Sequence, residues 1–262
     1  MEPTFGWDRS DISWVGSVGF LMNGAMQPIM GALFDKYGPR RVFGIGLAIM
    51  GLAIMSLAFM MDMDLLVNLG FIKIPLDLLW FILVFSIVIN TCLSAASITN
   101  MLALVVRWFR RKRSKATGLA AAGTSFGGLL MIPFAAYLMG VINESGFSLL
   151  GMELAGWRAV WFLLGIMVTF MAAPLAVFFL RPNPEEMGLN PDGDPNPEDL
   201  PPGTAPASRQ SGLYEVDSWR KCFSTPPMWQ LSGAYVVCGI TTGLLSIHFI
   251  PYAEDILSLI HI

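Results

Sequence analysis

The 262 residues are 55% hydrophobic and only 13% charged, with a formal net charge of −3 and a mean hydropathy of +0.61. A soluble domain carries about 25% charged residues, so the composition excludes an ordinary water-soluble globule and points to a polytopic membrane protein solvated by lipid and by its own helices. Cys92 and Cys238 lie in apolar stretches and Cys222 in a polar one, which gives neither a disulfide framework nor a metal-ligand spacing.

In chain order, Met1 to Asp11 is acidic and polar and lacks the basic start and short apolar core of a signal peptide. Six apolar stretches follow, each long enough for the roughly 20 residues a bilayer crossing needs. They are Ile12 to Phe34, Val42 to Met61, Leu78 to Val106, Ala116 to Ile142, Ala159 to Leu180 and Met228 to Ile250. Gly, Ala, Ser and Thr recur within them, as expected of bundle helices that approach closely. On the first, Asn23 and Gln27 are four apart and share a face with Gly16 and Gly19. On the third, Asn90, Ser94 and Ser97 form a stripe at helical spacing. Each stripe suits either the wall of a polar cavity or hydrogen bonding between helices. Gly123 and Gly127, with Gly128 beside them, suit close helix packing on the fourth, and His248 shares a face of the sixth with Thr241. That histidine could bind an anion or carry a proton. No Asp, Glu, Lys or Arg lies deep within a span, so these segments supply no fixed charge for an anion.

The loops divide by charge. Lys36, Arg40 and Arg41, then Arg107 to Lys115, then Arg181, Arg209, Arg220 and Lys221 fall in alternate loops and hold 13 of the 16 basic residues. Cytoplasmic loops retain Lys and Arg, so this side is expected to be cytoplasmic, with both chain ends on the other. The basic run at 107–115 is read as a topology and headgroup signal and not as a nucleic-acid site. Residues 181–227 hold ten of the 17 prolines among Asp, Glu, Gly and Ser. Such a run cannot bury a core and is expected to be a linker, ending in a short interfacial helix at Trp219 to Phe223.

Gly31-Ala-Leu33-Phe-Asp35-Lys-Tyr-Gly38-Pro-Arg40-Arg41 sits between the first two spans. It resembles the signature loop between helices 2 and 3 of the major facilitator superfamily, Gly-x-Leu-x-Asp-Arg-x-Gly-Arg-Arg, with Lys36 in place of the first Arg. Four further stretches, Arg107-Trp-Phe-Arg-Arg-Lys through Gly118, Gly156-Trp-Arg158, Arg181-Pro-Asn-Pro-Glu-Glu-Met-Gly188 and His248 to Ala253, are similar in order and spacing to the branch containing oxalate:formate antiporters and monocarboxylate transporters. Gly123-Thr-Ser-Phe-Gly127-Gly128 is similar to the Gly-Pro-x-x-Gly-Gly element of many antiporters, with Thr124 where that element has Pro.

The resemblance implies an all-α membrane fold, comprising helices 2 to 7 of a twelve-helix parent that works by alternating access. Residues 1–11 would be an external loop, 12–180 the N-terminal half, 181–227 the cytoplasmic linker and 228–256 the first helix of the second half. A first helix is expected to be missing, and residues 257–262 read as a translated sequencing-adapter end, so the chain is expected to be part of a longer gene. Gly31, Leu33, Asp35, Gly38, Arg40 and Arg41 would form a gate. An acid at a membrane edge needs a basic partner, and Arg107 and Arg113 are within reach in the next basic loop. The implied cargo is a small organic anion, a mono- or dicarboxylate such as oxalate or formate. A coupling proton or counter-anion would accompany it, in the cell membrane, without cofactor, metal or catalytic residue. A membrane enzyme would need paired acids, a histidine cluster or a nucleophile with its base. An inactive piece, a carrier of another solute or a sensor on the same scaffold is the alternative.

Overall fold

The first long helix begins where an acidic side chain can close its open end. The N–H of Asp8 donates to the Asp11 carboxylate at 3.1 Å, satisfying a group that a helix start leaves orphaned. Helix α1, Arg9–Tyr37, then runs through Pro28 and ends three residues beyond the predicted apolar stretch, so Asp35 and Lys36 belong to its last turn. Gly38, with φ of +81°, stops it, and Pro39 opens α2, Pro39–Ala58. A positive φ suits Gly and a fixed φ near −65° suits the first helical position, so the Gly-Pro pair is the hinge between two helices.

The computed structural model describes residues 5–60, 66–68, 73–145, 147–149, 152–154, 156–193 and 219–260. A short antiparallel hairpin, β1 Leu66–Asn68 with β2 Lys73–Pro75, precedes the third apolar stretch. That stretch is not one uniform helix. It is α3 Leu76–Phe81, a π-helical segment Ile82–Ile89, α4 Asn90–Ala95, and, after a break at Ala96, α5 Ile98–Trp108. Ser97 makes the break: its backbone is extended and its Oγ accepts the Asn100 N–H at 3.4 Å, capping α5.

Helix α6, Arg113–Ser145, is followed by a second hairpin, β3 Phe147–Leu149 with β4 Met152–Leu154. Then come α7 Gly156–Met167, a π-helical turn Val168–Ala172 and α8 Ala173–Phe179. Of the predicted linker, residues 194–218 lie outside the described residues; after them come α9 Trp219–Cys222 and α10 Pro226–Ile260. The chain forms two compact units, Met1–Asp199 and Leu200–Ile262. Among the described residues four helical stretches are long and apolar enough to cross a membrane: Pro39–Ala58, Leu76–Trp108, Arg113–Asn143 and Gly156–Phe179. The other two predicted spans are helical as well, as α1 and α10.

In the first unit α2 is the central element, packing against α7, α8 and the Leu76–Trp108 stretch. Its glycines permit this. A Cβ on Gly51 would lie 2.1 Å from Thr169 Oγ1 and 2.8 Å from the Gly165 carbonyl, and one on Gly165 would lie 2.4 Å from Met55 Cγ. The two backbones are therefore in direct contact, the arrangement by which membrane helices gain van der Waals energy without a hydrophobic drive. Gly44 leaves room for the Val177 side chain of α8, whose Cγ2 would lie 2.3 Å from a Cβ there. The glycines singled out in the sequence behave otherwise. A Cβ on Gly123, Gly127 or Gly128 would meet nothing within 4 Å among the described residues, so the backbone crossing at Gly51 and Gly165 is made by α2 and α7 and not by that face of α6.

Candidate functional site

The signature loop holds its residues at one end of the bundle. Asp35, in the last turn of α1, pairs with Arg107, in the last turn of α5, at 3.0 Å between Oδ1 and Nη2. The Arg107 guanidinium also lies over the Phe34 ring, 5.5 Å from its centroid, an additional attraction for a cation. Phe34, Phe43 and Leu104 form the buried floor beneath the pair. Arg107, not Arg113, is therefore the basic partner of Asp35; Arg113 is the exposed first residue of α6. From the next helix Arg40 donates its Nε to the Val177 carbonyl on α8. Three separate stretches of chain, Phe34 to Phe43, Leu104 to Trp108 and Ala176 to Leu180, thus meet at this end. Gly38 supplies the turn, while Leu33 and Arg41 line an apolar cavity of about 570 Å³ between α1, α2 and the third stretch. A Cβ on Gly31 would meet nothing within 4 Å among the described residues.

The two polar stripes face one another. Asn23 Nδ2 donates to the Asn90 carbonyl at 3.1 Å and Ser97 Oγ to Gln27 Oε1 at 3.3 Å, and with Ser86 Oγ donating to the Val15 carbonyl at 2.7 Å they stitch α1 to the third stretch at three levels. Asn90 turns its own amide to the Phe85 carbonyl at 2.9 Å, satisfying an acceptor of the π-helical segment. Ser94 does not join them. It lies one turn after Asn90 on the same helix, α4, but is fully buried and donates to Thr91 O at 2.7 Å. Gly19 belongs to this seam, since a Cβ there would lie 2.7 Å from Asn90 Nδ2. On α10 Thr241 returns its hydroxyl to the carbonyls of Val237 and Cys238 at 3.0 Å each. The side chain of His248 lies outside the described residues.

The opposite end carries a second arrangement that the sequence reading passed over. Trp7 and Asp77, each 4% exposed, are joined by a 3.1 Å hydrogen bond from Trp7 Nε1 to Asp77 Oδ2, and Asp77 Oδ1 accepts the Leu78 N–H at 2.8 Å. Trp7 stacks on Phe5 and tilts against Phe81 at 5.2 Å between centroids, within a core that includes Val15, Leu57 and Met60. A lone Trp and a lone Asp at the edges of apolar runs were the available signal, and only the fold joins positions 70 residues apart.

A model of the Major Facilitator Superfamily matches residues 1–259. The chain belongs to the major facilitator superfamily. With four helical stretches long and apolar enough to cross a bilayer, this member is a multi-pass membrane protein. It is 26% identical over 183 residues to the MFS-type transporter opdF of Penicillium oxalicum, covering 68% of this chain and 37% of that one. It is 27% identical over 155 residues to the fujikurins efflux protein of Gibberella fujikuroi, covering 56% and 27%. It is also 29% identical over 127 residues to MFS-type transporter 1 of an Ophiocordyceps species, covering 48% and 24%. The chain therefore spans about a quarter to somewhat over a third of the length of these relatives.

Proposed function

We propose that this chain is part of a secondary active transporter that moves a small organic anion by alternating access, with the Asp35–Arg107 end as its gate. The observation that carries the reading is the ion pair itself. It joins the signature loop to the end of a different span, through 3.0 Å at a position where it can be broken and remade. Alternating access needs two states within a few kcal/mol of each other, and a contact of this kind adjusts such a balance without dismantling the bundle. Superfamily membership supports transport as the activity.

The finer assignments rest on the resemblances described above. Those to the oxalate:formate and monocarboxylate branch support a mono- or dicarboxylate as cargo, with a proton or counter-anion as its drive. No acidic or basic residue lies between Trp80 and Val106, so the fixed charge for an anion would come from the remainder of the transporter. Asn23, Gln27, Asn90 and Ser97 would border the pathway as part-exposed hydrogen-bonding groups, with Thr241 and His248 contributed by the helix at 228–256. Residues 12–180 would be the N-terminal half, 181–227 a cytoplasmic linker and the cell membrane the location. A second reading is export of a small-molecule product, supported by the 27% identity to the fujikurins efflux protein.

The test is uptake of radiolabelled oxalate, formate and lactate into proteoliposomes containing a parent-length protein that includes this chain. The proposal expects saturable uptake of at least one anion, raised by trapped counter-anion or by a proton gradient and lowered by Asp35→Asn. Indifference to all three anions, with extrusion of an apolar product from loaded vesicles, would establish the export reading instead.

A further inference from the structure

The stretch after α8 looks in the sequence like the beginning of a proline-rich linker, yet it is folded against the first unit. Asp192 lies 80 to 82 residues beyond the loop it touches, and its carboxylate accepts three consecutive backbone N–H groups there. Oδ2 accepts from Arg110 at 2.9 Å and Arg111 at 2.8 Å, and Oδ1 accepts from Lys112 at 3.3 Å. Successive amides converging on one anion form a concave nest of positive potential, placed here immediately before α6 in the most basic loop of the chain. The N–H of Arg111, with those of Arg110 and Lys112 and the Arg111 charge, holds the Asp192 carboxyl below the usual range against a smaller opposing effect of desolvation. Asp192 adopts φ of +61° to reach the nest, a left-handed conformation that Asp tolerates better than most residues.

A second tie fixes the near end of the same stretch, where Trp108 Nε1 donates to the Arg181 carbonyl at 3.1 Å. Between the ties a 3₁₀ turn, Pro184–Met187, is closed by Gly188 in the left-handed region, with Leu189 N–H returning to Pro184 O at 3.1 Å. Pro184 is fully buried. Prolines in such a piece lower the entropy lost on docking, because they restrict the undocked chain as well.

We infer that 181–193 is a strap, that Asp192 is its latch, and that the strap fixes where the tether between the two transporter halves begins. The latch stands on the geometry alone, while the role of the tether rests on the reading of 181–227 as the linker. With the strap docked, the tether starts after Gly193 instead of after Leu180. That withholds about 40 Å of extended reach at roughly 3.3 Å per residue. The strap and the gate also share one helical turn, since Arg107 holds Asp35 and the adjacent Trp108 holds Arg181.

Hydrogen exchange of the chain in lipid nanodiscs, read by mass spectrometry, tests the latch at the amides it covers. Asp192→Ala should speed exchange at Arg110, Arg111 and Lys112 by about tenfold or more, the scale of a lost local protection. It should leave the middle of α6 unchanged. Asp192→Asn, which keeps an acceptor and loses the charge, should fall between. Cleavage after Glu186 by a Glu-specific protease should accelerate in parallel. Unchanged exchange at 110–112 and unchanged cleavage in Asp192→Ala would overturn the latch, as would a general loss of protection along α6. None of these readouts involves transport, so a chain that shows them while its parent-length protein fails to move any anion keeps the latch and refutes only the transport reading.

Discussion

The two ends of the first unit are held by opposite kinds of chemistry. At one, Trp7 and Asp77 are 4% exposed and sit among stacked aromatic rings. At the other, the side chains of Asp35 and Arg107 are 74% and 35% exposed. A buried donor or acceptor stripped of its partner costs about 1 to 3 kcal/mol, whereas an exposed ion pair contributes about 0 to 1 kcal/mol because water screens it. The same helices are thus clamped at one end and lightly fastened at the other. Under the proposed function, the weak contact lies at the end that would open and the strong contacts lie elsewhere.

Four changes would break or sharpen that contrast, beginning with the frame common to both ends. Gly165→Val places a side chain where Met55 Cγ would be 2.4 Å from its Cβ, with the Gly51 carbonyl at 2.7 Å. Backbone cannot yield as a flexible side chain can, so no folded, monodisperse protein should be recovered in detergent by size-exclusion chromatography. Next is the clamped end: Trp7→Ala should lower stability by about 3 to 5 kcal/mol, the usual cost of truncating a buried large aromatic residue, seen as a fall in thermal midpoint. An unchanged midpoint would mean that this end is no clamp. In the seam between the ends, Asn23→Leu removes one interhelical hydrogen bond and should cost about 0.6 kcal/mol. The smallest effect is that of acid on the strap. Because the folded Asp192 pKa is lowered, the latch contribution is fully present above the ordinary Asp range near pH 4. It is lost only as pH falls through the lowered folded value. Protection at 110–112 should therefore be constant from about pH 8 to 5, and a loss within that window would contradict the assignment.

The legible parts of the fold were those set by local pattern. Apolar length placed the first two long helices to within three residues at each end, and the Gly38-Pro39 pair placed the turn between them. The need of Asp35 for a basic partner narrowed the candidates to two, of which Arg107 is the one in contact. The stripes of Asn23, Gln27, Asn90 and Ser97 were legible as faces, but which stripe opposed which depended on helix packing. Ser94 shares a helix with Asn90 but is fully buried and turns its hydroxyl back to the Thr91 carbonyl, a local bond that spacing does not reveal. The glycine spacing at 123 and 127 marked a smooth face, whereas the glycines that matter most here, Gly51 and Gly165, are on different helices and share no spacing. Nor could the proline-rich composition of 181–227 reveal that its first stretch docks, since three backbone amides 80 residues upstream carry no side-chain signature.

In the proposed function the Asp35 end is the one that opens. Hydrogen exchange of wild type and Asp35→Asn, side by side in nanodiscs, tests it most directly, because the substitution keeps the side-chain shape and removes only the charge. Exchange in Asp35→Asn should be faster by up to about fivefold, the equivalent of about 1 kcal/mol for an exposed pair. The change should be confined to the segments around Phe34 to Phe43 and Leu104 to Trp108, with Trp7 to Val15 and Leu76 to Phe85 as slow as in the wild type. Equal exchange everywhere, or loosening that appears first at the Trp7–Asp77 end, would contradict it.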